Sequence, residues 1–262
     1  TIAPTILTHC SARCVTFRRY PNGVDGSSFF EKRCPKHRPE WVATAVGPGD
    51  RNGEVGYCRL DEPAAVVWAA NLAALELHTP MARAHDIESP QMVVFDLDPG
   101  PGTDIATCSA VALELRELVG GLGLEMFAKT SGSKGLQCYL PLNTDLDPAG
   151  GPSHTHEHCS NFALAAGQVL EQRAPKRITT TMAKSERPGR VFIDWSQNSR
   201  HKTTICAYSL RARPTPTVST PVDWAEVVAA ADGEPLSFVA GEVVERVERL
   251  GDLFASTATL VQ

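Results

Sequence analysis

No segment of this 262-residue chain is apolar for long enough to cross a bilayer, and 42% hydrophobic with 21% charged residues is the composition of an ordinary globular protein. The opening residues, Thr1-Ile2-Ala3-Pro4, have neither a Met nor a basic stretch, so no secretion signal is expected there. Internal repeats and low-complexity linkers are also lacking, which leaves residues 1–262 to be read as one domain. Zinc-type ligand spacing is missing too. No second Cys pair completes Cys10 and Cys14, and His154-Thr155-His156-Glu157-His158-Cys159 sits where a polar helix start is expected. The eight cysteines are therefore expected to be buried reduced thiols, with Cys108, Cys138 and Cys206 inside apolar segments, as suits a cytoplasmic protein.

An excess of positive charge is lacking as well, since the net charge is −5. Averaged over the chain, that speaks against a nucleic-acid binder, but the distribution is uneven. Ten Lys and Arg residues fall within 171–213 against Glu171, Glu186 and Asp194, and a second basic stretch runs from Arg13 to Arg38. Local fields, not averages, attract phosphates. A phosphate-binding groove and a solvated charged face both fit the pattern.

Periodicity predicts an α/β (α+β) chain. A helix is expected over 61–77, capped by Asp61 and stopped at His78-Thr79-Pro80. A strand at about 91–98 follows, then a helix at about 104–119 capped by Asp104, and strands at about 124–130 and 136–140. After a polar connection at 144–156, a helix is expected at about 157–172, strands at about 190–195 and 203–209 returning to the same sheet, and a helix over 221–231.

Two strands contain acids that a buried strand does not explain. In Met92-Val93-Val94-Phe95-Asp96-Leu97-Asp98-Pro99-Gly100, alternation puts Asp96 and Asp98 on one face and Phe95 and Leu97 on the other. Paired carboxylates repel unless a cation lies between them, and hard divalent ions prefer such oxygen ligands. A turn at Asp98-Pro99-Gly100 accounts for Asp98 but leaves Asp96 without a partner. Asp194, in Arg190-Val191-Phe192-Ile193-Asp194-Trp195, repeats the anomaly; a salt bridge to a nearby Arg is the simpler explanation. If the strands are neighbours, the three acids could hold two metals. Lys129-Thr130-Ser131-Gly132-Ser133-Lys134-Gly135 joins two of the expected strands, either as a hairpin turn with solvated lysines or as an anion-binding loop.

These pieces, in this order, resemble the polymerase/primase branch of the archaeo-eukaryotic primase superfamily, found fused to bacterial DNA ligase D or as a stand-alone partner of ligase C. The matching stretches are Arg19-Tyr20-Pro21-Asn22-Gly23-Val24-Asp25-Gly26, Phe29-Phe30-Glu31-Lys32, Val94 to Gly100, Ser131 to Leu136, Phe192 to Trp195 with Asn198, and Tyr208 to Pro214. The resemblance implies a primase-polymerase fold. An RRM-like catalytic palm at about 91–230 would pack on an N-terminal α/β lobe at about 1–90, with a C-terminal extension at about 231–262.

It also implies a templated nucleotidyltransferase of DNA repair that adds nucleotides, ribonucleotides by preference, to 3′ ends at gaps or breaks. Asp96, Asp98 and Asp194 would hold two Mn²⁺ or Mg²⁺ ions. Ser131, Lys134, Gln137, Arg187, Gln197 and Arg211 would contact the nucleoside triphosphate. Arg18, Arg19 and Lys32 would meet DNA phosphates, the recessed 5′-phosphate included, and Phe29 and Phe30 would stack on template bases or else pack in the core. An ATP-dependent DNA ligase is the implied partner of a monomeric protein at the bacterial nucleoid. One residue departs from the pattern: Gln137 stands where the family has His and offers a neutral amide instead of an imidazolium. Two rival readings stay open, a non-catalytic module binding 5′-phosphorylated ends and a metal-dependent phosphoesterase.

Overall fold

The computed structural model describes residues 2–49, 53–144 and 153–262, so most of the expected 144–156 connection lies outside the described residues. A six-stranded sheet runs in the order Ile178–Thr179, Val191–Asp194, Met92–Pro99, Leu136–Pro141, Phe127–Thr130, Pro221–Val222, and only its first pair is parallel. Phe95, Leu97, Leu136, Cys138 and Ile193 point to one face, where helices Ile105–Gly120, His156–Arg173 and Trp224–Ala231 bury Val111, Leu115, Ala163, Leu170 and Val227 against them. Period-2 alternation in the strands thus meets period-3.6 stripes in the helices. Asp104 caps the first of these helices, accepting from the Thr107 N–H at 3.0 Å.

The opposite face contributes Met92, Val94 and Tyr139 to a second core. That core is shared with a four-stranded antiparallel sheet in the order Thr204–Ile205, Ala74–Thr79, Thr16–Arg19, Phe29–Glu31, whose Phe17 and Leu77 point inward. Cross-strand pairing sets Arg18 opposite Glu76 on one side and Phe30 on the other.

Several expectations need correction, among them the helix expected over 221–231, which starts only at Trp224 after the strand Pro221–Val222. The helix expected over 61–77 spans only Pro63–Asn71, and Ala74–Thr79 is a strand. A run rich in Ala, Val and Leu fits either period, and the break comes at Ala73, whose φ of +59° ends the helix. Asp61 is not its cap; Glu62 holds that position, and Asp61 accepts the Ala12 N–H at 2.8 Å. The strand expected at 203–209 is the short Thr204–Ile205, and it joins the four-stranded sheet, where the Cys206 N–H reaches Leu77 O at 2.8 Å. Two residues are too few for a periodic signal.

The cysteines are not all reduced: Cys34 and Cys58 form a disulfide, their Cα atoms 4.8 Å apart. The Cys34 N–H to Gly56 O bond at 2.8 Å brings the two segments together, a contact no spacing rule reveals. Cys108, Cys138 and Cys206 are free and buried, as are Cys10, Cys14 and Cys159. In the His cluster, Thr155 caps the following helix by accepting the His158 N–H at 3.1 Å, and His156 is buried between the carbonyls of Asn198 and Ile87.

Candidate active site

Register in the six-stranded sheet places four polar side chains in one rung. Asp194 pairs with Asp96, Asp96 with Gln137, and Gln137 with Lys129, on successive strands. All four lie on the face away from the helices, and Asp98 follows Asp96 two residues along its strand on that same face. The acid-bearing strand is pinned from below. Asn198, fully buried, accepts the Val94 N–H and donates to the Val94 carbonyl, both at 2.8 Å. Asn198→Ala is expected to cost about 2–4 kcal/mol, since it orphans two buried backbone groups; thermal unfolding of the variant measures it.

Burial raises the Asp96 carboxyl to about 7, with Asp98 and then Asp194 adding repulsion and Gln137 opposing the shift by hydrogen bonding. Burial also raises Asp98, with Asp194 next, against the pull of Arg187 and Arg211. Two carboxyls so disfavoured as anions form a donor set suited to a hard cation. Asp194 is differently engaged: Ser196 donates to its Oδ1 through N–H at 3.0 Å and Oγ–H at 2.6 Å, and Gln197 Nε2 donates to Oδ2 at 3.0 Å. Among the described residues, no three His, Cys, Asp or Glu side chains converge on one metal-sized point. Asp194 shares the rung but turns toward its donors, and a cation drawing in all three acids would compete with these bonds.

One open cleft is lined by Asp96, Asp98, Ser131, Lys134, Gln137, Arg187, Gln197 and Arg211, which brings together every residue expected to touch a nucleotide. The 131–135 turn is closed by the Ser131 N–H donating to Gly135 O at 2.9 Å, while Ser131 Oγ accepts the Gly135 N–H at 3.2 Å. Gly132 has φ +65°, and a Cβ there would come within 2.6 Å of Arg211 Cγ, so only glycine lets the turn and this arginine pack together. Arg211 donates to Glu76 at 3.2 Å, and Arg187 lies 3.8 Å above the Phe192 ring.

Sequence reasoning missed two residues here. Glu76 is 2% exposed; burial pushes its carboxyl up, but bonds from His78 and Ala212 and the charge of Arg211 outweigh this and hold it at about 2. His78 lines the cleft and meets the Phe30 ring edge-on at 5.4 Å. A Glu and a His alternating with leucines carry the same signal as Asp96, hidden by the helical reading of 61–77.

Phe29 and Phe30 are 46% and 58% exposed, which removes the core-packing alternative. Arg19 stacks over Phe29 at 5.4 Å and Arg18 over Phe30 at 5.3 Å. Arg19 also pairs with Glu31 at 3.0 Å, and Lys32 closes the Phe-Phe-Glu-Lys stretch. Replacing both phenylalanines with Ala is expected to weaken DNA binding by about 1–3 kcal/mol per lost stack and leave the melting temperature nearly unchanged; fluorescence anisotropy with labelled gapped DNA reads the first and calorimetry the second.

An acid-bearing palm facing a cationic cleft, with an exposed aromatic pair at its rim, is the architecture of a DNA-directed nucleotidyltransferase. A family model described as "LigD, primase-polymerase domain" matches residues 1–254, and the chain belongs to that family. It is 40% identical over 256 residues to the multifunctional non-homologous end joining protein LigD of Mycolicibacterium smegmatis, covering 97% of this chain and 32% of that protein. With the bifunctional LigD of Bacillus subtilis the identity is 28%, over 95% of this chain and 38% of the relative. The chain thus spans about a third of the length of these relatives. A solved structure, the polymerase domain of Mycobacterium tuberculosis Ligase D in complex with DNA, superposes with a TM-score of 0.89 at 37% identity, covering 100% of this chain and 90% of that one. No helix among the described residues is long and apolar enough to cross a membrane.

Proposed function

We propose that this chain extends 3′ ends at gaps and breaks in DNA by templated nucleotidyl transfer, with ribonucleotides preferred. The observation that carries this reading is that Asp96 and Asp98, with Asp194 paired beside Asp96 on the next strand, share one cleft with Ser131, Lys134 and Arg211. In it, Asp96, Asp98 and Asp194 hold two divalent ions, Mn²⁺ or Mg²⁺, and the chemistry these supply when bound is activation of the primer hydroxyl and neutralisation of the triphosphate and leaving pyrophosphate.

The residues of the chain do the rest. Ser131 and the turn amides take phosphate oxygens, and Lys134 and Arg211 offset their charge. Gln197 holds Asp194 through its Nε2 and, lining the cleft, meets the nucleotide with the rest of its amide. Arg187, set on Phe192, closes the cleft near Asp98. Phe29 and Phe30 stack on template bases and tolerate any sequence, while Arg18, Arg19 and Lys32 take backbone phosphates, the 5′-phosphate of a gap among them. The polypeptide works as a monomer in the bacterial cytoplasm beside an ATP-dependent DNA ligase that seals its product.

The test is extension of a labelled primer on gapped DNA with ribo- or deoxyribonucleoside triphosphates and either metal. Stepwise elongation is expected, faster with ribonucleotides. Tight, salt-sensitive binding to 5′-phosphorylated ends without elongation under any metal would instead favour the non-catalytic end-binding module, and shortened strands a phosphoesterase.

A further inference from the structure

The far end of the acid rung is a lysine that does not reach solvent. Lys129 is 1% exposed. Its Nζ donates to Gln137 Oε1 at 2.5 Å, Ser219 Oγ at 2.7 Å and the Ile205 carbonyl at 2.9 Å. Two of these oxygens only accept, and Ser219 directs its own hydrogen to Thr130 O at 2.8 Å. Three acceptors match the three N–H bonds of an ammonium and offer nothing to the lone pair of a neutral amine. They hold the group charged against burial, which presses it down to about 7. Asp96 and Cys206 attract this charge from the neighbouring elements, and Arg211 repels it.

The consequence falls on Gln137. A side-chain amide can be turned either way, but beside a group that only donates it must present its oxygen. Its NH₂ is then left to face away from the lysine, on the residue paired with Asp96 of the next strand. We infer that Lys129 is a positioning residue for nucleotidyl transfer: through Gln137 it fixes the orientation of Asp96, so that Lys129 and Gln137 act as one unit beside the proposed metal site. The inference rests on the proposed function. It also gives Gln137 a definite role at the position where the resembled family has His, as an amide with one allowed direction.

A double-mutant cycle tests it. Lys129→Met, Gln137→Met and the double variant are compared with wild type in single-nucleotide insertion on gapped DNA, and Mn²⁺ affinity is read by electron paramagnetic resonance without DNA. Each single variant is expected to lose about 10–100-fold in kcat and in Mn²⁺ affinity, as for removal of a partner that orients a metal ligand. For Lys129→Met the KM for nucleotide should stay within about threefold, because this side chain is walled off from the triphosphate, and the double should be no worse than the weaker single. Wild-type kcat and Mn²⁺ affinity in Lys129→Met overturn the inference, as does a double variant whose loss is the product of the two singles. If Lys129→Met does not melt cooperatively, the double decides: kcat equal to Gln137→Met upholds the unit, and a further tenfold fall rejects it. Wild-type protein that elongates no primer would sink the proposed function instead, a result these comparisons distinguish.

Discussion

Asp96→Ala is expected to lower kcat for primer extension by about 10²–10⁴-fold: in the proposed function Asp96 is a metal ligand, such a ligand supplies several kcal/mol to the transition state, and each 1.36 kcal/mol is a factor of ten. The loss should not come from unfolding. Asp96 projects into the cleft, while its neighbours Phe95 and Leu97, both fully buried, hold the strand from the other side. Single-turnover insertion on gapped DNA measures the fall, and far-UV circular dichroism with a thermal melt checks the fold. Activity within a factor of about three of wild type would mean that the rung does not bind the reacting groups.

The second large effect is on stability, and it runs in the opposite direction. The Asp96 carboxyl sits at about 7 in the folded chain, whereas in the unfolded chain it titrates near about 4. Between those values the folded state carries a proton that the unfolded state has released, so stability falls as pH rises through the window. The cost is absent below about pH 4 and complete above about pH 7. Asp96→Asn should therefore stabilise metal-free protein by about 2–4 kcal/mol at pH 8 and by almost nothing at pH 4. Added Mn²⁺ should raise the melting temperature of wild type at pH 8 and leave the variant nearly unmoved, because an ion that binds only the folded state stabilises it. Denaturant titrations at the two pH values, with and without the ion, give all of this. A variant less stable than wild type at pH 8 would mean that Asp96 has a compensating partner. An active site that destabilises its own empty form is the expected trade between function and stability.

How far this was legible beforehand depended on the kind of signal each residue carries. Asp96 stands out because an acid inside an alternating apolar strand lacks a partner, Asp194 repeats the anomaly with a salt bridge as its simpler explanation, and the pairing of their strands makes the two direct neighbours. Asp104 was recognisable as a cap because capping is a local rule that sequence records. Glu76 and His78 went unseen because an Ala- and Leu-rich run fits both periods, so a strand was absorbed into a helix. The Cys34–Cys58 bridge and the pairing of Thr204–Ile205 depend on contacts between distant segments and leave no local trace. In the sequence Lys129 is only the first residue of a stretch joining two expected strands. Its importance appears once Gln137, Ser219 and Ile205 surround it, and they come from three separate stretches of chain.

The central claim is that Asp96, Asp98 and Asp194 grip divalent ions beside a nucleotide. The most direct measurement is a crystal structure of the protein soaked with Mn²⁺ and a non-hydrolysable nucleoside triphosphate, with the ions located by anomalous scattering. Two peaks about 3.5–4 Å apart among the three carboxylates, with Asp194 released from Ser196 or Gln197, are the predicted result. Manganese bound elsewhere, with the rung unchanged and the triphosphate outside the cleft, would contradict it.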